Sequence, residues 1–228
     1  MKLRYLNLYC IVAKTKSGKD SYLDAILSDK KFIKETKISI FKYGTTKKHH
    51  PKYNRQEYYI FNNQDAEALD YNTLIEMRSY YTISEGLVHY FTKETDLLPL
   101  TGNYICIAAP TQYERYRIWF DNANIKSTNK KYNLKMIYIN SSTKDRIKRM
   151  LNTIEEEADL AEICRRIIQD KNDFENAKKS LDEISNPIIN DSVCYIESSF
   201  CEDTQNEQFQ KNLKKIQDYI RITSKKDD

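Results

Sequence analysis

Residues 8–27, Leu-Tyr-Cys-Ile-Val-Ala-Lys-Thr-Lys-Ser-Gly-Lys-Asp-Ser-Tyr-Leu-Asp-Ala-Ile-Leu, decide the fold that we predict for this chain. An apolar run with β-favouring residues, 8–12, stops at a short loop that closes on Ser17-Gly18-Lys19. Apolar residues then recur at helical spacing, at Tyr22, Leu23, Ile26 and Leu27. The stretch therefore predicts a strand, a loop and a helix N-terminus in direct succession.

The predicted loop is suited to binding a phosphate, because successive backbone N–H groups and the positive end of the following helix converge on one anion. Lys19 adds a full positive charge for the β- and γ-phosphates of a nucleotide. We expect the phosphates to be bound by the loop and the first helical residues, which are Lys14, Thr15, Lys16, Ser17, Gly18, Lys19, Asp20 and Ser21. An ordinary lysine-rich turn is the alternative.

The loop departs at both ends from the phosphate-binding pattern G-x-x-x-x-G-K-[ST]. Ala13 stands where the first glycine belongs, and it fits only if its φ is negative. Asp20 stands where a Ser or Thr hydroxyl would meet Mg²⁺. Ser21 offers a hydroxyl one residue later, and the Asp20 carboxylate is able to hold a Mg²⁺-bound water. Both residues are therefore the candidate metal residues.

Length and composition predict one soluble domain: 228 residues, 40% hydrophobic and 31% charged. A net charge of +4 is far from the basic footprint of a dedicated nucleic-acid binder, and we expect the basic run 47–52 to be a solvated loop. Five cysteines without C-x-x-C spacing argue for reduced thiols, and no apolar run reaches the ~20 residues of a membrane span. We expect a cytoplasmic monomer or homodimer that contacts no membrane.

Two continuous apolar runs, 104–109 and 134–139, are typical of strands buried on both faces of a parallel sheet. The helical pattern of 112–120 between them completes a β-α-β unit. The chain is therefore predicted to be α/β, a three-layer sandwich with a parallel sheet. We expect a single domain with its core at 1–35, 104–141 and 167–228, an insert at 36–103 and an arginine-bearing helical lid at 142–166.

Inside the insert, 37–43 and 57–61 are predicted as two strands of a hairpin-like unit joined by a turn at 44–46. A short helix is expected at 65–72, and an aromatic patch at 89–92 closes the insert.

The lid is predicted to carry arginines on two helices. Ser142 to Asp145 forms a plausible capping box, and Arg146 and Arg149 follow on one helical face. Arg165 and Arg166 are neighbours, about 100° apart on a helix, so we expect at most one of them to point straight at a given ligand. For Arg146 and Arg149 the alternative is a solvated helix face paired with the acidic run 155–157.

The segment Thr45-Thr46-Lys47-Lys48-His49-His50-Pro51, followed by Tyr59-Ile60-Phe61, resembles the GMP-binding segment of guanylate kinases. That segment reads Thr-Thr-Arg-x-x-Arg-Pro and then Tyr-x-Phe. Lys47 and His50 stand in the places of its two phosphate-binding arginines. The resemblance extends to Ile75-Glu76, where the family has a glutamate that contacts guanine, and to Tyr90-Phe91-Thr92.

Three further stretches resemble a bacterial and phage branch of guanylate kinases that carries Gly-Lys-Asp in its loop: 17–20, 78–82 and 162–174. The resemblance implies a P-loop nucleoside monophosphate kinase that transfers the γ-phosphate of ATP, with Mg²⁺, to GMP or dGMP. It implies an acceptor site formed by Thr46, Lys47, His50, Tyr59, Glu76, Arg78, Tyr90 and Thr92. It also implies that catalysis involves Lys19, Arg146, Arg149 and one of Arg165 and Arg166.

The chain departs from the family at Ala13, at Lys47 and His50, and at the end of strand 105–109, where Ala-Ala-Pro replaces the usual aspartate. Losing one bidentate arginine–phosphate pair costs on the order of 1.5–3 kcal/mol of binding. Two alternatives to an active kinase follow. One is a weak or inactive kinase-like domain that binds nucleotides or proteins, and the other is a nucleic-acid binder that uses residues 47–52.

Overall fold

The computed structural model of the chain describes residues 3–48, 57–82, 85–152, 157–176, 193–198 and 206–225. The described strands are β1 (Arg4–Ala13), β2 (Ser39–Ile40), β3 (Tyr43–Thr45), β4 (Tyr58–Ile60), β5 (Leu74–Thr82), β6 (Gly86–Lys93), β7 (Gly102–Ala108), β8 (Lys130–Asn140) and β9 (Val193–Glu197). The described α-helices are α1 (Lys19–Ser28), α2 (Lys30–Thr36), α3 (Asn63–Glu67), α4 (Glu94–Leu97), α5 (Pro110–Lys126), α6 (Thr143–Leu151), α7 (Glu157–Asn176) and α8 (Glu207–Lys225).

The main sheet has five strands in the order β2-β7-β1-β8-β9, and every pairing in it is parallel. β1 lies at its centre. It pairs with β8 from Arg4 opposite Lys130 to Ala13 opposite Ile139, and with β7 on its other side. The two apolar runs predicted as parallel strands are thus confirmed as strands of this sheet, and they are the two neighbours of β1.

Helices cover both faces of this sheet. Successive side chains of β1 point to opposite faces, and on each face they pack into an apolar cluster together with helix residues. Leu8 and Cys10 pack with Tyr116 of α5 on one face. On the other face Tyr9 and Ile11 pack against residues of α1, α2 and α8, namely Leu23, Phe32 and Ile216. The predicted three-layer α/β sandwich with a parallel sheet is thus confirmed.

A second sheet of four strands, in the order β4-β3-β6-β5, lies within residues 43–93. β3 and β4 are parallel, so the expected hairpin-like pairing of 37–43 with 57–61 is wrong; the antiparallel hairpin is β5–β6. The expected strand 37–43 is split between the two sheets. The backbone N–H of Phe41 still bonds Ile105 of β7, whereas Gly44 lies in β3 against the ring of Phe91.

The helix expected at 65–72 is also wrong in its bounds. α3 ends at Glu67, and a 3₁₀ turn follows at Tyr71–Thr73. Asp70 explains the break, because its side chain accepts the backbone N–H of Asn72 and starts a new turn. Among the helices of the described ranges, none is both long and apolar enough to span a bilayer.

Candidate active site

The loop predicted to bind phosphate connects β1 to α1 over residues 14–18. Gly18 precedes the helix with a φ of +91°, a conformation that favours glycine, and Lys16 has a φ of +59°. Ala13 is not among the residues with positive φ in the part of the chain that the structure describes. Alanine therefore fits the place of the missing first glycine without the backbone strain that a positive φ would cause.

Ser17 fixes the shape of this loop. Its side chain is fully buried, and both its hydroxyl and its backbone N–H donate to the carbonyl oxygen of Lys14, at 2.6 and 3.3 Å. No side chain caps the N-terminus of α1. Backbone N–H groups of a first helical turn have no partner inside the helix, so this end of α1 is suited to an anion.

Lys19 and Asp20 open α1 next to the loop. The Lys19 ammonium lies 3.5 Å from a carboxylate oxygen of Asp20, whose side chain is 44% exposed. The charge of Asp20 also acts on the hydroxyl of Tyr58 in the second sheet. The loop end of α1 is therefore close enough to the second sheet for the charge of Asp20 to reach Tyr58.

Helix α7 contacts the loop directly through Asp170. Both carboxylate oxygens of Asp170 accept the backbone N–H of Thr15, at 2.9 and 3.1 Å, and one of them accepts its hydroxyl at 3.0 Å. Arg146 of α6 donates to the same carboxylate at 2.7 Å and to the carbonyl oxygen of Thr15 at 3.4 Å. The Lys14 ammonium completes the contact, 5.2 Å above the ring of Phe174.

Arg149 also bonds the loop, with its guanidinium 2.9 Å from the carbonyl oxygen of Lys16. Arg146 and Arg149 are therefore not a solvated surface pair. They lie on one face of α6 and hold the loop through its carbonyl groups.

Arg165 and Arg166 both turn toward Glu162 of α7. Arg165 donates to both of its oxygens and Arg166 to one, all at 2.8 Å. Although burial opposes ionisation, the two arginines outweigh it and lower the pKa of Glu162 to about 2. Long side chains thus bring the two guanidinium groups together despite the angle between them on the helix.

The same arginines act on Lys47 at the end of β3. Burial and the charge of Arg166 lower the pKa of Lys47, while Glu85 and Glu162 oppose that effect. Lys47 is half-buried, and its backbone N–H donates to the hydroxyl of Thr45. Helix α7 thus contacts the loop and acts on Lys47, so the loop, the second sheet and α7 come together here. We call this region the three-way junction, and its residues are Lys19, Asp20, Lys47, Tyr58, Glu162, Arg165 and Arg166.

One face of β5–β6 carries the polar and aromatic side chains of the second sheet that belong to this junction. Glu76 and Arg78 alternate along β5, and Thr92 and Tyr90 lie opposite them in β6. The buried Glu76 carboxylate accepts the Thr92 hydroxyl at 3.2 Å and the Arg78 Nε at 2.8 Å. Four predicted acceptor residues are thus neighbours.

A chain of hydrogen bonds anchors Glu76 to the core. The Thr92 hydroxyl lies 2.7 Å from the hydroxyl of Tyr116, which accepts from Gln112 at 2.6 Å. Gln112 in turn accepts the backbone N–H of Ala109, at the point where the family pattern has an aspartate. Helix α5 therefore fixes the position of Glu76.

Tyr58, not Tyr59, is the tyrosine of β4 that faces the junction. Its hydroxyl pairs with that of Tyr43 at 3.4 Å, and its ring contacts the ring of Tyr90 edge-on. Tyr59 is 50% exposed, with the ammonium of Lys42 over its ring. Successive side chains alternate along the strand, so Tyr59, which the resemblance puts in the acceptor site, lies on the other face of β4.

Thr46 lies just after β3 and forms two hydrogen bonds with the backbone of His89. Its backbone N–H donates to the carbonyl oxygen of His89 at 3.0 Å, and its hydroxyl accepts the backbone N–H of His89 at 2.9 Å. His50 lies outside the described residues. Sequence analysis missed Asp170, Glu162 and Tyr58. The available signal for Asp170 was its place four residues after Arg166, which puts a carboxylate on the arginine-bearing face of α7.

Magnesium would be bound here by few protein ligands. In the described ranges no group of three or more histidine, cysteine, aspartate or glutamate side chains could hold a metal. Mg²⁺ is commonly bound by one or two carboxylates together with substrate phosphates and waters. The Asp20 carboxylate next to Ser21 at the start of α1 fits that mode.

No protein-family model matches the chain, and no curated protein matches it. Among solved structures it is similar to the guanylate kinase from Anaplasma phagocytophilum, with 14% sequence identity and a TM-score of 0.47. That match covers 98% of this chain and 88% of the other.

Proposed function

We propose that this chain is a nucleoside monophosphate kinase that transfers the γ-phosphate of ATP to GMP or dGMP. The observation that supports the proposal is the three-way junction. There the uncapped N-terminus of α1 with Lys19 and Asp20 lies within electrostatic reach of Tyr58, and Lys47 lies within electrostatic reach of the arginines of α7. Phosphoryl transfer needs two anions held in line with their repulsion neutralised, and this arrangement supplies cations from both sides.

The donor would lie on the loop side. Loop amides and the Lys19 ammonium would bind the β- and γ-phosphates, while Arg146 and Arg149 position the loop through the carbonyl oxygens of Thr15 and Lys16. When bound beside Asp20 and Ser21, Mg²⁺ would neutralise phosphate charge.

The acceptor would lie on the side of the second sheet. Lys47, Thr46 and Tyr58 would bind its phosphate, and the resemblance adds His50, which lies outside the described residues. Glu76, Arg78, Tyr90 and Thr92 would surround its base. An oxygen of the acceptor phosphate attacks the γ-phosphorus, and the bond to the ADP oxygen breaks. Arg165 and Arg166 would break their ion pairs with Glu162 and neutralise the charge of the transferring phosphoryl group. Electrostatic stabilisation of this kind is usually the largest single contribution to the rate.

A coupled assay of ADP release with GMP, dGMP, AMP, UMP and TMP tests this function. We expect saturable ADP release with GMP or dGMP that requires Mg²⁺. ADP release that is the same with and without an acceptor would contradict the proposal.

A second candidate is an inactive domain that binds nucleotides or a protein. The observation that favours it is that groups expected to bind phosphate are already bound to carboxylates of the protein. Asp170 accepts a loop N–H group, and Glu162 accepts from Arg165 and Arg166 of α7. Absence of turnover together with absence of a thermal shift by ATP and Mg²⁺ would favour protein binding. Binding to oligonucleotides that weakens steeply with salt would instead favour a nucleic-acid partner.

A further inference from the structure

Asp170 attaches α7 to the loop between β1 and α1 at a single residue, Thr15. Its two carboxylate oxygens accept the Thr15 backbone N–H at 2.9 and 3.1 Å, and one of them accepts the Thr15 hydroxyl at 3.0 Å. The Asp170 side chain is only 14% exposed, so water competes little for these bonds. Hydrogen bonds to a charged acceptor are roughly twice as strong as bonds between neutral groups. The contact is therefore a firm connection between a helix and the loop.

The loop residue that Asp170 binds is itself held in place. Ser17 closes the loop with two hydrogen bonds to the carbonyl oxygen of Lys14. Arg146 of α6 donates to the carbonyl oxygen of Thr15 at 3.4 Å and to the Asp170 carboxylate at 2.7 Å. Thr15 is thus bound through its N–H, its hydroxyl and its carbonyl group. Asp170 consequently contacts a fixed point, and α7 cannot leave the loop without breaking charge-assisted bonds.

A second contact lies one turn further along α7. The centre of the Phe174 ring lies 6.4 Å from that of Tyr138 in β8, and the Lys14 ammonium lies 5.2 Å from the Phe174 ring centre. Asp170 and Phe174 are four residues apart, so they share one face of the helix. Two contacts along a helix fix the direction of its axis, whereas a single contact would allow it to pivot. Asp170 is therefore needed for the orientation of α7.

The orientation of α7 determines where its arginines lie. Arg165 and Arg166 are about one turn from Asp170, which corresponds to roughly 6 Å along the helix axis. Burial and the charges of both arginines lower the pKa of Lys47, although two nearby glutamates oppose that effect. Like charges repel, so a helix that brings two arginines close to a lysine needs an attachment that resists this repulsion. Asp170 provides an attachment of that kind.

We propose that Asp170 is a positioning residue for phosphoryl transfer, because by holding α7 against the loop it sets where Arg165 and Arg166 lie over the transferring group. The proposal rests on the proposed function, since it takes these two arginines to neutralise that group. Asp170 acts through the arginines and not on the substrate. A displacement of about 1 Å can cost on the order of 100-fold in rate, so the contact governs turnover more than binding.

Asp170→Asn tests this role by separating kcat from nucleotide binding. The amide places an NH2 donor where one carboxylate oxygen accepts, which weakens the contact. At a temperature where the variant is folded, we expect kcat with GMP to fall by about 10- to 100-fold. The Kd for ATP should change by less than about threefold, because the bonds of Ser17 and Arg149 that shape the loop remain.

Lys171→Gln is the matched control, because Lys171 lies on the exposed side of the same helix. It should leave both kcat and the Kd for ATP unchanged. An unchanged kcat for Asp170→Asn, or a loss of ATP affinity as large as its loss of kcat, would overturn the proposal.

Thr15→Val is a milder variant that decides the matter if Asp170→Asn does not fold. It removes only the hydroxyl bond to Asp170 and leaves the backbone N–H and Arg146 in place. We expect kcat to fall by about 3- to 10-fold, the equivalent of one hydrogen bond. A kcat equal to that of the wild type would overturn the proposal.

Hydrogen exchange tests the contact without any turnover. In Asp170→Asn the backbone amides of 157–169 in α7 should exchange faster than in the wild type, by at least about 10-fold beyond any acceleration in α8. Exchange in α8 reports a general loss of stability, because that helix packs on the other side of the main sheet. Equal acceleration in the two helices would overturn the proposal.

The two kinds of measurement separate this proposal from the proposed function. Faster exchange in α7 of Asp170→Asn, in a protein whose wild type gives no turnover, would support the contact and contradict kinase activity. Turnover by the wild type together with equal kcat and equal exchange in Asp170→Asn would support the kinase function and overturn the role of Asp170.

Discussion

The carboxylate of Asp170 accepts the backbone N–H of Thr15 through both of its oxygens, at 2.9 and 3.1 Å. This contact joins α7 to the loop between β1 and α1 across 155 positions of the chain. Arg146 neutralises the carboxylate and is itself buried, so the three residues form one compact ion-pair network. The loop is therefore held by α6 and α7 as well as by its own turn.

Asp170→Asn is expected to destabilise the fold. The amide can still accept from Thr15, but the buried Arg146 loses its charged partner, and the free energy of unfolding should fall by about 1–3 kcal/mol. Urea denaturation measures the change. Lys171→Gln is the control, because the Lys171 pair with Glu175 is exposed and its loss should cost less than about 0.5 kcal/mol. An unchanged urea midpoint for Asp170→Asn would contradict the network.

Tyr58→Phe and Tyr59→Phe should differ in their effect on the acceptor. Removing the Tyr58 hydroxyl takes a donor from the junction, so we expect the KM for GMP to rise by about 5- to 20-fold, the equivalent of one hydrogen bond. Tyr59 is exposed on the other face of β4, and its variant should change KM by less than about twofold. Steady-state kinetics with both variants measure the two KM values. A larger rise in KM for Tyr59→Phe than for Tyr58→Phe would refute the proposal that Tyr58 binds the acceptor.

The ion pairs of Glu162 should make stability depend on acidic pH. Because its pKa is about 2 in the folded chain, against an ordinary 4.5, the carboxylate contributes stability above pH 4.5. That contribution is lost as the pH falls from about 4.5 toward about 2. Urea denaturation should therefore show a stability gap between wild type and Glu162→Gln at neutral pH that narrows near pH 3. A gap that stays constant would exclude the ion pair as its cause.

Gly44→Ala should disrupt the second sheet. A methyl group on Gly44 would collide with the ring of Phe91, which is fully buried. We expect a loss of about 1–3 kcal/mol in the free energy of unfolding. Adding Phe91→Leu removes the colliding ring atoms, so the double variant should lose less stability than the sum of the two single changes. Strict additivity would mean that the two residues are not in contact.

Local patterns predicted the central part of the fold. The strand, loop and helix of 8–27 and the buried runs 104–109 and 134–139 each carry their signal within a few neighbouring residues. β5 lacks such a signal, because Glu76 and Arg78 lie on its buried face, where an apolar alternation would be expected. That departure from the pattern coincides with the candidate site.

Contacts between distant segments could not be predicted in the same way. The sequence of α7 does not indicate that Asp170 reaches Thr15, and the sequence of β3 does not indicate that it leaves the main sheet. Tyr58 and Tyr59 are equally aromatic, and only the pairing of β3 with β4 determines which one turns inward. The sequence thus predicts which residue types are present at the site. The direction in which each side chain points and the partner that it contacts are determined by tertiary structure.

Transfer of the γ-phosphate in a single turnover, measured with labelled ATP, excess enzyme and GMP, tests the central claim most directly. We predict label in GDP with the wild-type chain, and a rate at least about 100-fold lower with Lys19→Ala at unchanged thermal stability. Lys31→Ala, on the exposed surface of α2, should match the wild type. Equal rates for Lys19→Ala and the wild type, or no labelled GDP from the wild type, would contradict the account.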